Sequence, residues 1–131
     1  MNAKQLYDKL SLIHANHYFK SYEEFEVDCN NAEYPCILVI PMPTKKIDMK
    51  ADRFNMVEAI VVMYLQKMEV DFKTIDEYDI ILESENIVLS GIFPFIDQIK
   101  AIENISELCK FSDVLSAGAF AIEMKNNPIC N

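Results

Sequence analysis

The chain is 131 residues long with an apolar fraction of 51%, two glycines and five prolines, so it is one domain able to bury a core, and not a disordered or low-complexity segment. A formal net charge of −9 excludes nonspecific binding to nucleic acid or anionic membrane, since both need Lys and Arg to displace counterions. No apolar run approaches the roughly 20 residues of a membrane span, MNAKQLYDKL has no signal-peptide core, and four cysteines without CxxC spacing read as reduced thiols, which points to the cytoplasm.

From Ala3 to about Tyr18 the pattern is helical, with Leu6, Leu10, Ile13 and His17 on one face and Asn2 placed to cap the first turn. Ser21–Cys29 alternates, setting Phe25, Val27 and Cys29 against Glu24, Glu26 and Asp28, and so reads as a half-buried strand. Asn30-Asn31 has turn chemistry, and the uniformly apolar Tyr34–Ile40 belongs in the middle of a sheet. Pro41 and Pro43 end that strand, because proline cannot donate to a ladder. Thr44–Lys50 is then a basic loop, with Asp48 available as a helix cap.

Ala51–Met68 contains seven consecutive apolar residues, Ala59 to Leu65, and reads as a core helix because it is apolar on every side. A second alternating stretch, Glu77–Leu82, is followed by the polar Ser84-Glu85-Asn86 and by Ile87–Phe93, a strand–turn–strand signal. Pro94 suits the first turn of another helix, striped by Ile96, Ile99, Ile102, Ile105 and Leu108. Within Ser112–Lys125, Phe120, Ile122 and Met124 alternate and Gly118 disfavours a helix, so the chain closes on a strand.

FKSYEEFEV at Phe19–Val27 aligns with FKTIDEYDI at Phe72–Ile80, and the same offset brings Pro41 onto Pro94. The match suggests an internal duplication, with units at about 3–43 and 51–96 and a partial third at 94–127 that ends in FAIEMKNN. The expected fold is α+β: about five mostly antiparallel strands with three helices packed on one face. Its order is helix-strand-strand-helix-strand-strand-helix-strand.

Several clusters could carry chemistry, each with a plainer reading. His14 and His17, three apart, could share a zinc with Cys29 and Cys36, although packed imidazoles and small apolar thiols account for them as well. Glu24, Glu26, Asp28, Glu77 and Asp79 could gather Mg²⁺ or Ca²⁺ if their strands were neighbours; the plainer account is a solvated sheet face. Glu123-Met124-Lys125 with Asp113 imitates the acid-x-lysine arrangement of metal-dependent nucleases, a triplet common by chance. Lys45, Lys46, Lys50 and Arg53 could meet an acidic partner or a phosphate, and Tyr22, Phe95 and Met42 an interaction patch. There is no Ser-His-Asp order, glycine-rich phosphate loop or GxSxG elbow, and no cofactor is implied.

The resulting expectation is a non-catalytic acidic interaction module: an assembly subunit, adaptor or small inhibitor, in one version competing for a nucleic-acid-binding surface of its target. It would dock a protein partner through Glu23, Glu24, Glu26, Asp28, Glu77 and Asp79, with Lys45 and Lys46 beside them. The alternatives are a metal-dependent hydrolase or nuclease built on Glu26, Asp28, Glu77 and Asp79, and a small-ligand sensor.

Overall fold

The computed structural model describes residues 1–50, 53–68, 73–108, 111–112 and 114–126. In chain order the elements are α1 (Ala3–Leu10), β1 (His17–Phe19), α2 (Tyr22–Asp28), β2 (Cys36–Lys50), β3 (Arg53–Lys67), α3 (Thr74–Ile92), β4 (Ile99–Asn104) and β5 (Leu115–Asn126). Short 3₁₀ turns, Phe93–Gln98 and Ser106–Leu108, flank β4. The five strands form one sheet in the order β1-β2-β3-β5-β4, antiparallel throughout except for the parallel β1–β2 pair. The α+β class and the five strands agree with the sequence reading, whereas the order of the elements differs.

The apolar mid-chain run is buried as expected, but as a strand. β3 lies at the centre of the sheet, paired with β2 on one side and β5 on the other. Ile60, Val62 and Tyr64 point into one layer, and Met63 and Leu65 into the other. A strand covered on both faces loses its alternation and looks like a buried helix in sequence. The β-branched Ile60-Val61-Val62 suits the extended form.

Pro41 and Pro43 do not end β2. The ladder slips between Pro41 and Lys45 and resumes with Lys45 opposite Glu58, closing at Lys50 opposite Arg53. Thr44–Lys50 is therefore strand and not loop. β1 pairs with β2 from His17 opposite Ile37 to Phe19 opposite Val39, and among the described residues no strand pairs with that side of β2 beyond this point, so a missing N–H there costs little.

Ser21–Cys29 is a helix. Ser21 Oγ accepts from Glu24 N at 3.2 Å while Glu24 Oε1 accepts from Ser21 N at 3.3 Å, a reciprocal cap that starts α2. Phe25 and Cys29, one turn apart, go into the core, and Val27, which a strand would bury beside them, is 79% exposed. Asn2 caps α1 as expected, but the helix stops at Leu10 and His17 passes into β1. Glu58 Oε2 on β3 accepts from Ala3 N at 3.3 Å and seats the first turn of α1 on the sheet.

The expected hairpin at 77–93 is the single long helix α3, and the expected helix after Pro94 is β4 between two 3₁₀ turns. A strict spacing of three, as in Ile96, Ile99, Ile102 and Ile105, drifts around an α-helix and fits 3₁₀ geometry locally. β5 is the closing strand, as its alternation indicated.

The helices do not share one face: α1 and α3 pack on one side of the sheet, with Leu6, Leu10, Val88 and Ile92 over Ile37, Val39, Ile60, Val62, Phe120 and Ile122. On the other side Phe25 and Cys29 of α2 cover Cys36, Leu38, Met63 and Leu65, closed by Phe111, whose ring lies 4.8 Å from that of Phe25. The two look-alike segments share only a helix start. Ser21–Glu24 has its counterpart in Lys73 N donating to Asp76 Oδ2 at 3.1 Å, while Phe72 lies outside the described residues. One start leads into a helix of 7 residues and the other into one of 19, and neither unit is helix, strand, turn, strand.

Candidate protein-docking face

α3 carries two apolar stripes, one turned to the sheet and one on an adjoining flank. Its inner side, Ser84, Val88 and Ile92, is buried. A Cβ on Gly118 of β5 would stand 2.3 Å from Glu85 N and 2.5 Å from Ser84 C, so the helix backbone rests directly on that glycine. Ser84 Oγ donates to Ile80 O at 2.8 Å and accepts from Gln66 Nε2 at 3.0 Å, tying the inner side to β3. With that side fixed, Ile75, Tyr78, Leu82, Leu89 and Phe93 must point outward. Their spacings of three, four, seven and four residues make one stripe. All five are between 41% and 67% exposed, and Ile96 and Ile102 extend the apolar surface past the end of the helix.

Leu82 is the ridge between two grooves. One, of about 560 Å³, runs toward the end of β4 and is lined by Tyr78, Leu82, Asn104, Ile105 and Glu107. The other, of about 710 Å³, lies toward the end of α1 and is lined by Ile13, Asp79, Leu82, Glu83 and Ile87. The polar groups at the floor of the first groove satisfy one another. Glu85 Oε2 accepts from Ser106 Oγ at 2.7 Å and from Asn104 Nδ2, and Ser106 Oγ accepts from Ala119 N at 3.0 Å. This cluster fastens α3 to β4 and β5.

The charge carried by α3 itself has one sign, while the exposed Lys73 just before it and Lys100 on β4 stand at the margins. Within α3 stand Asp76, Glu77, Asp79, Glu83 and Glu85, with no Lys or Arg, and Glu107 is exposed across the first groove. Glu83 also reaches the sheet electrostatically: burial first, and then the Glu83 carboxylate, raises the Tyr64 phenol above its ordinary value.

The residues singled out in the sequence are dispersed. Glu23, Glu24, Glu26 and Asp28 ride on α2, on the opposite side of the sheet from Glu77 and Asp79 on α3. Asp28 Oδ2 pairs with Lys20 Nζ at 3.3 Å, and Glu24 is occupied by the α2 cap. The Glu26, Asp28, Glu77 and Asp79 set expected for a metal site therefore does not converge. Lys45 and Lys46 belong to the outer half of β2, and their side chains, like those of Lys50 and Arg53, lie outside the described residues.

His14 and His17 are engaged separately: His14 Nδ1 with the Asn16 backbone, and His17 Nδ1 with the Tyr7 hydroxyl 2.6 Å away. Cys29 and Cys36 are buried free thiols, and burial pushes Cys36 up to about 12. Cys109, Cys130 and Asp113 lie outside the described residues. Among the described residues, no three His, Cys, Asp or Glu side chains gather as metal ligands, and no helix is long and apolar enough to cross a membrane.

The stripe on α3 was present in the sequence as Ile75, Tyr78, Leu82, Leu89 and Phe93, but the alternation of Tyr78, Ile80 and Leu82 concealed it. No known protein family and no characterised protein matches this chain at the level of sequence.

Proposed function

We propose that this protein is a non-catalytic interaction module that docks a polypeptide partner through the outer face of α3, as an assembly subunit, adaptor or small inhibitor does. The observation that carries the reading is a row of large apolar side chains held outward on a helix whose inner side is already committed to the sheet. Taking about 150 Å² for a large side chain, the stripe with Ile96 and Ile102 leaves on the order of 600 Å² of apolar surface in water. That is at the top of the range for the largest patch on a typical monomer. Grooves on both sides of Leu82 provide the concavity that a partner's anchor side chains need.

Asp79 belongs to this face, Glu77 sits on the inner side of α3 seven residues before Ser84, and the acids of α2 form a separate surface whose part in docking is a rival reading. Host lysate passed over immobilised wild type, Leu82→Asp, Glu26→Lys and Val27→Asp separates the two. The α3 reading expects a retained protein to vanish with Leu82→Asp alone, at unchanged melting temperature. Loss with Glu26→Lys or Val27→Asp, and not with Leu82→Asp, transfers docking to α2 and overturns it.

A further inference from the structure

Resting on that reading, we infer that the occupant of the α3 face is an amphipathic helix bearing Lys or Arg, belonging to another protein. The stripe from Ile75 to Phe93 covers about 27 Å of helix, so a helix of about 18 residues laid alongside matches it end to end. A helix presents anchors at spacings of three, four and seven residues, the spacing found in the stripe itself.

Charge decides what flanks those anchors. Asp79 and Glu83 border Leu82 on one side, and Glu107 lines the groove on the other. α3 offers them no internal cation, so the complement is cationic. The acids of α3 are confined to Asp76–Glu85, and the part from Asn86 to Ile92 is uncharged. The ligand is accordingly lopsided, with cations gathered at the end that meets Asp76–Glu85 and apolar residues at the end over Leu89 and Phe93. A second copy is the poorer occupant, because it brings five more acids and no base on the mating helix. Like charges across a contact oppose it.

Two synthetic helices of about 18 residues test this, one with Leu anchors and Lys flanks and the other with Glu replacing every Lys. Binding is read by fluorescence anisotropy, the footprint by amide chemical shifts and the peptide's conformation by circular dichroism. The Lys peptide should bind at least about tenfold more tightly than the Glu peptide at low salt, gain helicity and shift residues of α3. That preference should fade near 1 M salt and invert in the Asp79→Lys/Glu83→Lys variant. Equal binding of both peptides on α3 overturns the cationic inference and leaves the docking face intact. An extended peptide adding to the free edge of β4 overturns the helical form. Failure of the Lys peptide to bind overturns the inference outright, and a dimer abolished by Leu82→Asp would then name the second copy as occupant. Shifts confined to α2 would instead overturn the docking face itself.

Discussion

Replacing Gly118 by alanine tests the contact that orients α3 and hence the exposed stripe. The added methyl would lie 2.3 Å from Glu85 N, 2.5 Å from Ser84 C and 2.8 Å from Glu85 Cα. These are backbone atoms, so no rotamer change relieves the overlap, and normal contact at about 3.5 Å requires the helix to lift by about 1 Å. Lifting would loosen Val88 and Ile92 from the core and stretch the Gln66–Ser84 hydrogen bond. Overpacking costs about 1–3 kcal/mol, and the backbone position of the clash places Gly118→Ala at the upper end. For a chain of this size that lowers Tm by about 10 °C.

Gly91→Ala is the internal control. There the new methyl meets only the tips of Ile13 and Leu10, at 2.9 and 3.0 Å. Those tips can rotate, and alanine favours a helix by about 1 kcal/mol over glycine. Its Tm should hold or rise slightly. Thermal melts of both variants followed by circular dichroism decide the matter. If Gly118→Ala melts within about 2 °C of wild type, or Gly91→Ala is the more damaged, α3 does not rest on β5 as described.

Burial holds the Cys36 thiol at about 12 against an ordinary 9.0, and burial raises Tyr34 in the same direction, followed by the nearby Cys36 and Cys29 thiols. The unfolded chain therefore releases these protons first. Their stabilisation is complete below pH 9.0 and is lost as pH rises through the folded values. The slope is at most about 1.4 kcal/mol per pH unit for one group. Urea titrations of wild type and Cys36→Ala from pH 8 upward should show a shallower decline in the variant, and identical slopes would contradict the burial. Phe25→Ala should cost about 3–5 kcal/mol while Val27→Asp stays within about 0.5 kcal/mol; equal losses in denaturant melts would favour a strand there. Ser21→Ala should cost about 1 kcal/mol through loss of the α2 cap, and a Tm equal to wild type would argue against the reciprocal bond.

Local signals held where they concern neighbours in the chain. Asn2 caps α1, and Phe120, Ile122 and Met124 alternate in β5. The reciprocal cap that starts α2 was also legible in Ser21 and Glu24, but it competed with the alternation of Phe25, Val27 and Cys29, and the exposure of Val27 shows which pattern prevailed. The docking face was legible only as five residues at helical spacing, because an apolar stripe does not reveal whether it faces a sheet or water.

What the sequence determined by itself is that Ala59–Leu65 must be enclosed, since it offers no polar side to solvent, and that the domain is α+β. Whether the enclosed run is a rod or a strand belonged to the tertiary structure. Complete burial removes the periodicity that distinguishes them, and pairing with β2 and β5 settles it through hydrogen bonds to distant residues. The direction of α3 was likewise decided at a distance. Both its stripes are apolar, and only the one with the small Ser84 can settle onto Gly118, which leaves Leu82 and its neighbours facing outward.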